Sequence, residues 1–168
     1  MNLTGNNSLT LTGTATCLVD IKQCTNGMTL AFWVKVLQGQ VARFPNFLSS
    51  RIVKIYVIKR NTAFKPRFLI GESATKMYQS SKKIPYDQWH LVSVAYSATS
   101  DTEFYLNGCP LVGKPQLESN SHVAENATVG CNWKYRNCMN GNLDDLRFWT
   151  SKKDKHFMWM LWSIHDSN

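Results

Sequence analysis

Residues 141–149 read Gly141-Asn142-Leu143-Asp144-Asp145-Leu146-Arg147-Phe148-Trp149. A strand turns successive side chains to opposite faces, which groups Asp144 with Leu146 and Phe148, and Asp145 with Leu143, Arg147 and Trp149. One carboxylate must then share a face with apolar side chains. Such a group is costly unless it accepts hydrogen bonds, which makes Asp144 a structural acceptor tying loop amides to the strand. The two acids also point to opposite faces and cannot act together on one substrate.

The same period recurs upstream. In residues 28–37, Leu30, Phe32, Val34 and Val36 share one face, and Ala31, Trp33, Lys35 and Leu37 the other. Residues 89–97 place Val92, Val94 and Tyr96 together. Phe104 and Leu106 lead into Asn107-Gly108, a tight-turn pair in which both residues tolerate positive φ, and the hairpin continues over 109–112. Residues 48–60 form a long strand or tight hairpin in which Val53, Ile55 and Val57 alternate with Ile52, Lys54, Tyr56, Ile58 and Arg60. Shorter runs lie at 8–12, 68–70, 76–79 and 127–131, residues 115–125 read as loop, and a helix is predicted from residue 152. Many short strands separated by turn residues predict an all-β, two-sheet antiparallel sandwich with a short C-terminal helix.

The length of 168 residues suits a single domain over 1–168. Its core covers about residues 8–155, with 156–168 an atypical or truncated tail. Five cysteines, at 17, 24, 109, 131 and 138, point to an oxidising compartment. Zinc sites need close pairs of the C-x₂-C kind, whereas the close pairs here are C-x₆-C. Cys17 with Cys24 closes a short loop before a core strand. Among Cys109, Cys131 and Cys138, either Cys131–Cys138 or Cys109–Cys131 is feasible, leaving one thiol over for another chain. Sequons at Asn2, Asn6 and Asn126 agree with an extracellular setting. No leader pattern follows Met1, so an extracellular chain of this sequence would be a fragment of a larger protein.

Three segments in order carry a family resemblance. Thr29-Leu-Ala-Phe-Trp-Val-Lys35, then Trp89-His-Leu-Val-Ser-Val-Ala-Tyr96 with Glu103-Phe-Tyr-Leu-Asn-Gly108, then Gly141–Trp149 resemble the laminin-G-like and pentraxin-like jelly rolls of the concanavalin A-like superfamily. The resemblance implies two packed antiparallel sheets of about a dozen strands, with first and last strands close together. The fold does not by itself imply a ligand; together with the cysteines and sequons, the expected function is an extracellular recognition or adhesion module of a multidomain protein, binding a glycan or a protein. The alternatives are a divergent glycan-active enzyme on the same fold and a structural spacer.

No catalytic constellation accompanies the fold. Glycosidases need two carboxylates flanking one bond, and the superfamily's Glu-x-Asp-x-x-Glu type strand is absent. Calcium, which many such domains bind, needs six to eight oxygens. Residues 132–140 offer Asn132, Asn137 and Asn140 but also Lys134 and Arg136 and no acid, so they do not support a calcium site; Asp20, Asp101 and Glu103 are the remaining contributors elsewhere. No cofactor is expected.

The net charge of +8 favours anionic partners. Lys54, Lys59 and Arg60, in a run that also holds Arg51, Lys65 and Arg67, and Lys134 with Arg136 beside Trp133 and Tyr135, are candidate anion-binding residues. The resemblance implies a sulfated glycan or an acidic protein partner as the anion. No nucleic-acid motif accompanies the charge, and a membrane is reached only through the parent protein. In the tail, Phe157, Leu161 and Ile164 lie at helical spacing and are predicted to pack on the sandwich.

Overall fold

The computed structural model describes residues 2–4, 8–11, 16–20, 23–39, 42–50, 53–70, 74–80, 82–97, 99–111, 116–119, 126–132 and 136–166. Residues 28–36 carry β-branched or aromatic side chains on both faces, and they become the strand β3, Met28–Val36, at the centre of a six-stranded sheet. On one side β3 pairs with β14 (Asn140–Trp149), which pairs with β1 (Asn2–Thr4). On the other it pairs with β9 (Trp89–Tyr96), followed by β10 (Glu103–Leu106) and β11 (Cys109–Pro110). The first and last strands are thus neighbours. Every pairing is antiparallel.

The second sheet runs β12 (Gln116–Ser119), β7 (Ala74–Gln79), β6 (Ala63–Ile70), β5 (Val53–Lys59), β4 (Asn46–Ser49), β13 (Ala127–Val129) and β2 (Leu9–Leu11), with β8 (Ile84–Pro85) also on β6. Between the sheets, Leu30, Phe32, Val34, Val92 and Val94 meet Phe47, Ile55, Val57, Phe64 and Phe68 in one core cluster. The stretch predicted over 48–60 is a hairpin. Ser50 closes it by accepting the Val53 amide on Oγ and donating its own amide to the Val53 carbonyl.

Two expectations need correction. Residues 116–119 form β12 and not loop, because they gain a full antiparallel register on β7. The alternation within 141–149 breaks as well. Asp144 lies opposite Trp33 but Arg147 lies opposite Ala31, so β14 holds one residue more than β3 over this interval. Asp145 sits in this bulge with φ 48°. The extra residue carries Leu146 and Phe148 to the core face beside Leu143 and turns Asp144 to the outer face, where it is exposed. Asp144 accepts the amide of Asp145 at 2.9 Å, a bond within its own strand and not to a loop. Asp145 is ion-paired with Arg147 at 2.6 Å.

The outer face of the six-stranded sheet is covered by α2, Lys155–Asp166. Asp154 caps it, its Oδ1 accepting the Phe157 amide at 2.8 Å. Leu161 and Trp162 pack on Ala31, Trp33 and Leu91, while Met158 and Phe157 pack on Ala95 and Tyr105. Ile164 does not join them: it is 67% exposed, with Trp159 and Met160 also outward. The helix therefore buries the 157/158/161/162 stripe, one step round from the predicted one. Gly108, at φ +70°, makes the close approach possible, since a Cβ there would lie 3.0 Å from the Trp159 Cα. Disulfides join Cys17 to Cys24 around the short helix α1 (Thr16–Val19), and Cys131 to Cys138. Cys109 is a free, exposed thiol.

A basic aromatic face as the candidate functional site

Alternation along β5 turns Val53, Ile55 and Val57 into the core and leaves Lys54 and Tyr56 on the outer face of the eight-stranded sheet. Register then brings residues of other strands beside them. Tyr56 lies opposite Arg67 of β6, and Arg67 lies opposite Gln79 of β7. Arg67 Nε donates to Gln79 Oε1 at 2.7 Å and a second guanidinium nitrogen donates to the Tyr56 hydroxyl at 3.4 Å. Lys54 Nζ stands 5.2 Å from the Tyr56 ring centre. Phe44 meets the same ring edge-on at 6.3 Å and carries Arg43 over its own face at 5.3 Å. Three cations are thereby held around two aromatic rings on a rigid sheet, with Leu69 beneath them.

The predicted residues divide. Lys54 is at the centre of this cluster. Lys59 and Arg60 are exposed at the end of β5, where the Lys59 amide donates to the Arg43 carbonyl at 3.3 Å and the Arg60 carbonyl accepts the Tyr86 hydroxyl at 2.9 Å. Arg136 is exposed on the loop closed by Cys131–Cys138. That loop is pinned to the start of β4, two residues from Phe44, because the Asn46 amide donates to the Asn137 carbonyl at 2.9 Å. Lys134 lies outside the described residues, as does the sequon at Asn6. Asn2 and Asn126 are exposed. Arg43, Phe44 and Gln79 were not among the candidates: register on β6 brings in Gln79, and Arg43 and Phe44 arrive on the segment before β4, held by the Lys59 amide.

Charge is strongly sorted along the chain. Residues 21–86, which supply β3 to β8, hold twelve of the nineteen basic residues and one of the eleven acidic ones. Glu103, Asp144 and Asp145 lie on strands of the six-stranded sheet, with Asp101 and Asp154 close to them in sequence. There Lys152 Nζ donates to Glu103 Oε1 at 2.9 Å, to the Asp101 carbonyl at 2.8 Å and to Ser100 Oγ at 3.1 Å. The ammonium thus occupies the Asp101 carbonyl and one Glu103 carboxylate oxygen, and the Tyr105 hydroxyl donates to the other. Burial works to raise the Glu103 pKa, but hydrogen bonds from Lys152 and the Tyr105 hydroxyl and the charge of Lys152 outweigh it, so the carboxyl titrates below its usual range. Burial first, and then the Glu103 carboxylate, push Tyr105 upward. Among the described residues, no three His, Cys, Asp or Glu side chains converge as a metal site, and no helix is long and apolar enough to cross a membrane.

Residues 4–155 match a laminin G family model described as the concanavalin A-like lectin/glucanases superfamily. The chain belongs to this superfamily. No curated protein matches the sequence of this laminin-G-like chain. Solved structures share its fold. A heptameric SAP-like pentraxin of Limulus polyphemus superposes with a TM-score of 0.59 at 13% identity, over 82% of this chain and 70% of the pentraxin. Domain 4 of an extracellular arabinanase of Geobacillus stearothermophilus, solved with arabinotriose, gives 0.54 at 18% identity, over 82% of this chain and 66% of that one. The binding domain of botulinum neurotoxin DC, in complex with SialylT, gives 0.61 at 13% identity over 94% of this chain, which spans 39% of the toxin domain's length. At these identities the likeness is one of fold.

Proposed function

We propose that this laminin-G-like chain is a glycan-recognition module, and that the basic aromatic face on the eight-stranded sheet takes an acidic glycan, sulfated or carboxylated. The observation that carries the reading is the sorting of charge: residues 21–86, which supply β4 to β8 of this sheet together with β3 of the other, hold twelve cations and one acid. Such a surface gathers polyanions by long-range attraction, and the Arg67 fork, held by Gln79, is shaped for a sulfate or carboxylate. Phe44, half-buried over the covered Tyr56 ring, offers the aromatic surface to a sugar between the charges. The solved relatives with arabinotriose and SialylT support a saccharide as the ligand class.

The two disulfides and the exposed sequons at Asn2 and Asn126 support placing the module outside the cell or on its surface, within a larger adhesion protein. It acts by binding and not by catalysis, since Asp144 and Asp145 are committed to a backbone amide and to Arg147. Heparin chromatography tests the proposal. The domain is expected to be retained at physiological salt and the K54E/R67E variant to elute earlier, with a reduced salt dependence. A wild-type domain that washes through at low salt removes the acidic-glycan reading.

A further inference from the structure

The six-stranded sheet carries a second surface of quite different chemistry. Its outer face is set in cross-strand rows: Asn142, Lys35 and Trp89 form one, and Asp144, Trp33 and Leu91 the next. Within a row the residues are about 5 Å apart, and the two rows are about 7 Å apart. The α2 helix covers the second row, leaving Trp33 8% and Leu91 0% exposed. It stops short of the first, where Trp89 is 43% exposed. An indole therefore stands open on a rigid sheet, immediately beyond the edge of the helix. Beside it are one ammonium (Lys35), one amide (Asn142, whose Nδ2 donates to Asn2 Oδ1 at 3.4 Å) and one exposed carboxylate (Asp144).

We propose that this strip, Trp89 with Lys35, Asn142 and Asp144, is a saccharide site for a neutral pyranose, separate from the basic face on the opposite sheet. Lys35 and Asp144 cancel in charge, so the strip does not select an ion. What it offers is an apolar ring surface bordered by fixed donors and acceptors. A pyranose matches this, because one of its faces is lined by C–H groups while hydroxyls project from its rim. The C–H face lies on the indole, and the rim hydroxyls reach Asn142 and Lys35, with Asp144 accepting from the hydroxyl beyond. With its charges balanced, the strip gives an acidic sugar no advantage over a neutral one, which separates this ligand from that of the basic face.

The test follows the indole N–H signal of Trp89, identified by its loss in W89A, in ¹H–¹⁵N spectra of the whole domain. The probes are neutral hexaoses of glucose, mannose, xylose and galactose at millimolar concentration. At least one is expected to shift that signal saturably. W89A should weaken its binding at least about tenfold and N142A should weaken it less, while both variants keep their heparin retention. K54E/R67E is expected to lose heparin and keep the neutral sugar. The proposal is overturned if none of the hexaoses moves the Trp89 signal, if W89A binds the sugar as wild type does, or if K54E/R67E abolishes neutral-sugar binding. Loss of heparin retention by wild type, with the hexaose response intact, would count against the basic face alone.

Discussion

His90 lies in the layer between the sheets at 6% exposure, its ring edge-on to Phe64 at 6.1 Å and its Nδ1 3.3 Å from the Asn107 amide nitrogen. Burial lowers its pKa from 6.5, opposed in part by the Pro85 backbone. The unfolded chain takes up a proton near the ordinary value while the folded chain resists it. Stability from this group is therefore present above pH 6.5 and lost as pH falls below it. Urea midpoints should fall between pH 7 and pH 5, and H90Q should flatten that slope; an equal slope in both proteins refutes the assignment. Gly108 is as tightly constrained, for a Cβ would strain a φ of +70° and press on α2. Gly108→Ala is expected to cost about 1–3 kcal/mol in a denaturant titration. Cys109 should react once with maleimide in the native protein without reductant, the other four cysteines only after reduction.

At the scale of elements, the bulge in β14 shows how far local alternation carries. Both ends of the stretch are legible in sequence, since Gly141 and Trp149 bound a single strand. The side-chain grouping is not, because it depends on β3 having one residue fewer between Trp33 and Ala31. Deleting Asp145 would remove the bulge and leave Leu143, Leu146 and Phe148 at alternate positions on the core face, in unchanged register with β3. The shortened chain is expected to keep cooperative unfolding by circular dichroism, whereas deleting Leu143 instead would put Asp144 in the core register and abolish it. Pairing decides other elements too. Residues 63–67 carry a proline that argues against a strand, yet β6 runs through it. Pro66 falls between the positions that pair with β8 (Ala63, Phe64) and those that pair with β7 (from Arg67), where no partner strand asks for its missing N–H. β12, with one apolar residue in four, takes its state from β7. Removing the Cys17–Cys24 bridge with a paired alanine variant should cost about 2–3 kcal/mol, measured by chemical denaturation.

For the whole molecule, the two layers divide chemistry as well as packing. One sheet carries the basic surface; the other carries Glu103, Asp144 and Asp145 and the covering helix. The jelly roll was legible from three ordered motifs, and so was Lys54 with Tyr56 on an outer face, because strand period alone reveals them. Gln79 was hidden since it comes from another strand, Arg43 and Phe44 since they come from the segment before β4, and the open position of Trp89 because it depends on where α2 ends. Raising salt should weaken acidic-glycan binding steeply and leave neutral-sugar binding almost unchanged, a contrast that isothermal titration at two ionic strengths can measure.

Among the described residues, the outermost strands of both sheets are very short: three residues in β1 and β2, two in β11 and four in β12. β11 ends on a proline, which has no N–H to donate. Such rims offer few unpaired backbone groups to a neighbouring molecule, and that is a defence against sheet-to-sheet polymerisation. A domain built this way can be crowded on a surface or strung in tandem without its copies zipping together, so contacts between copies must use faces and side chains.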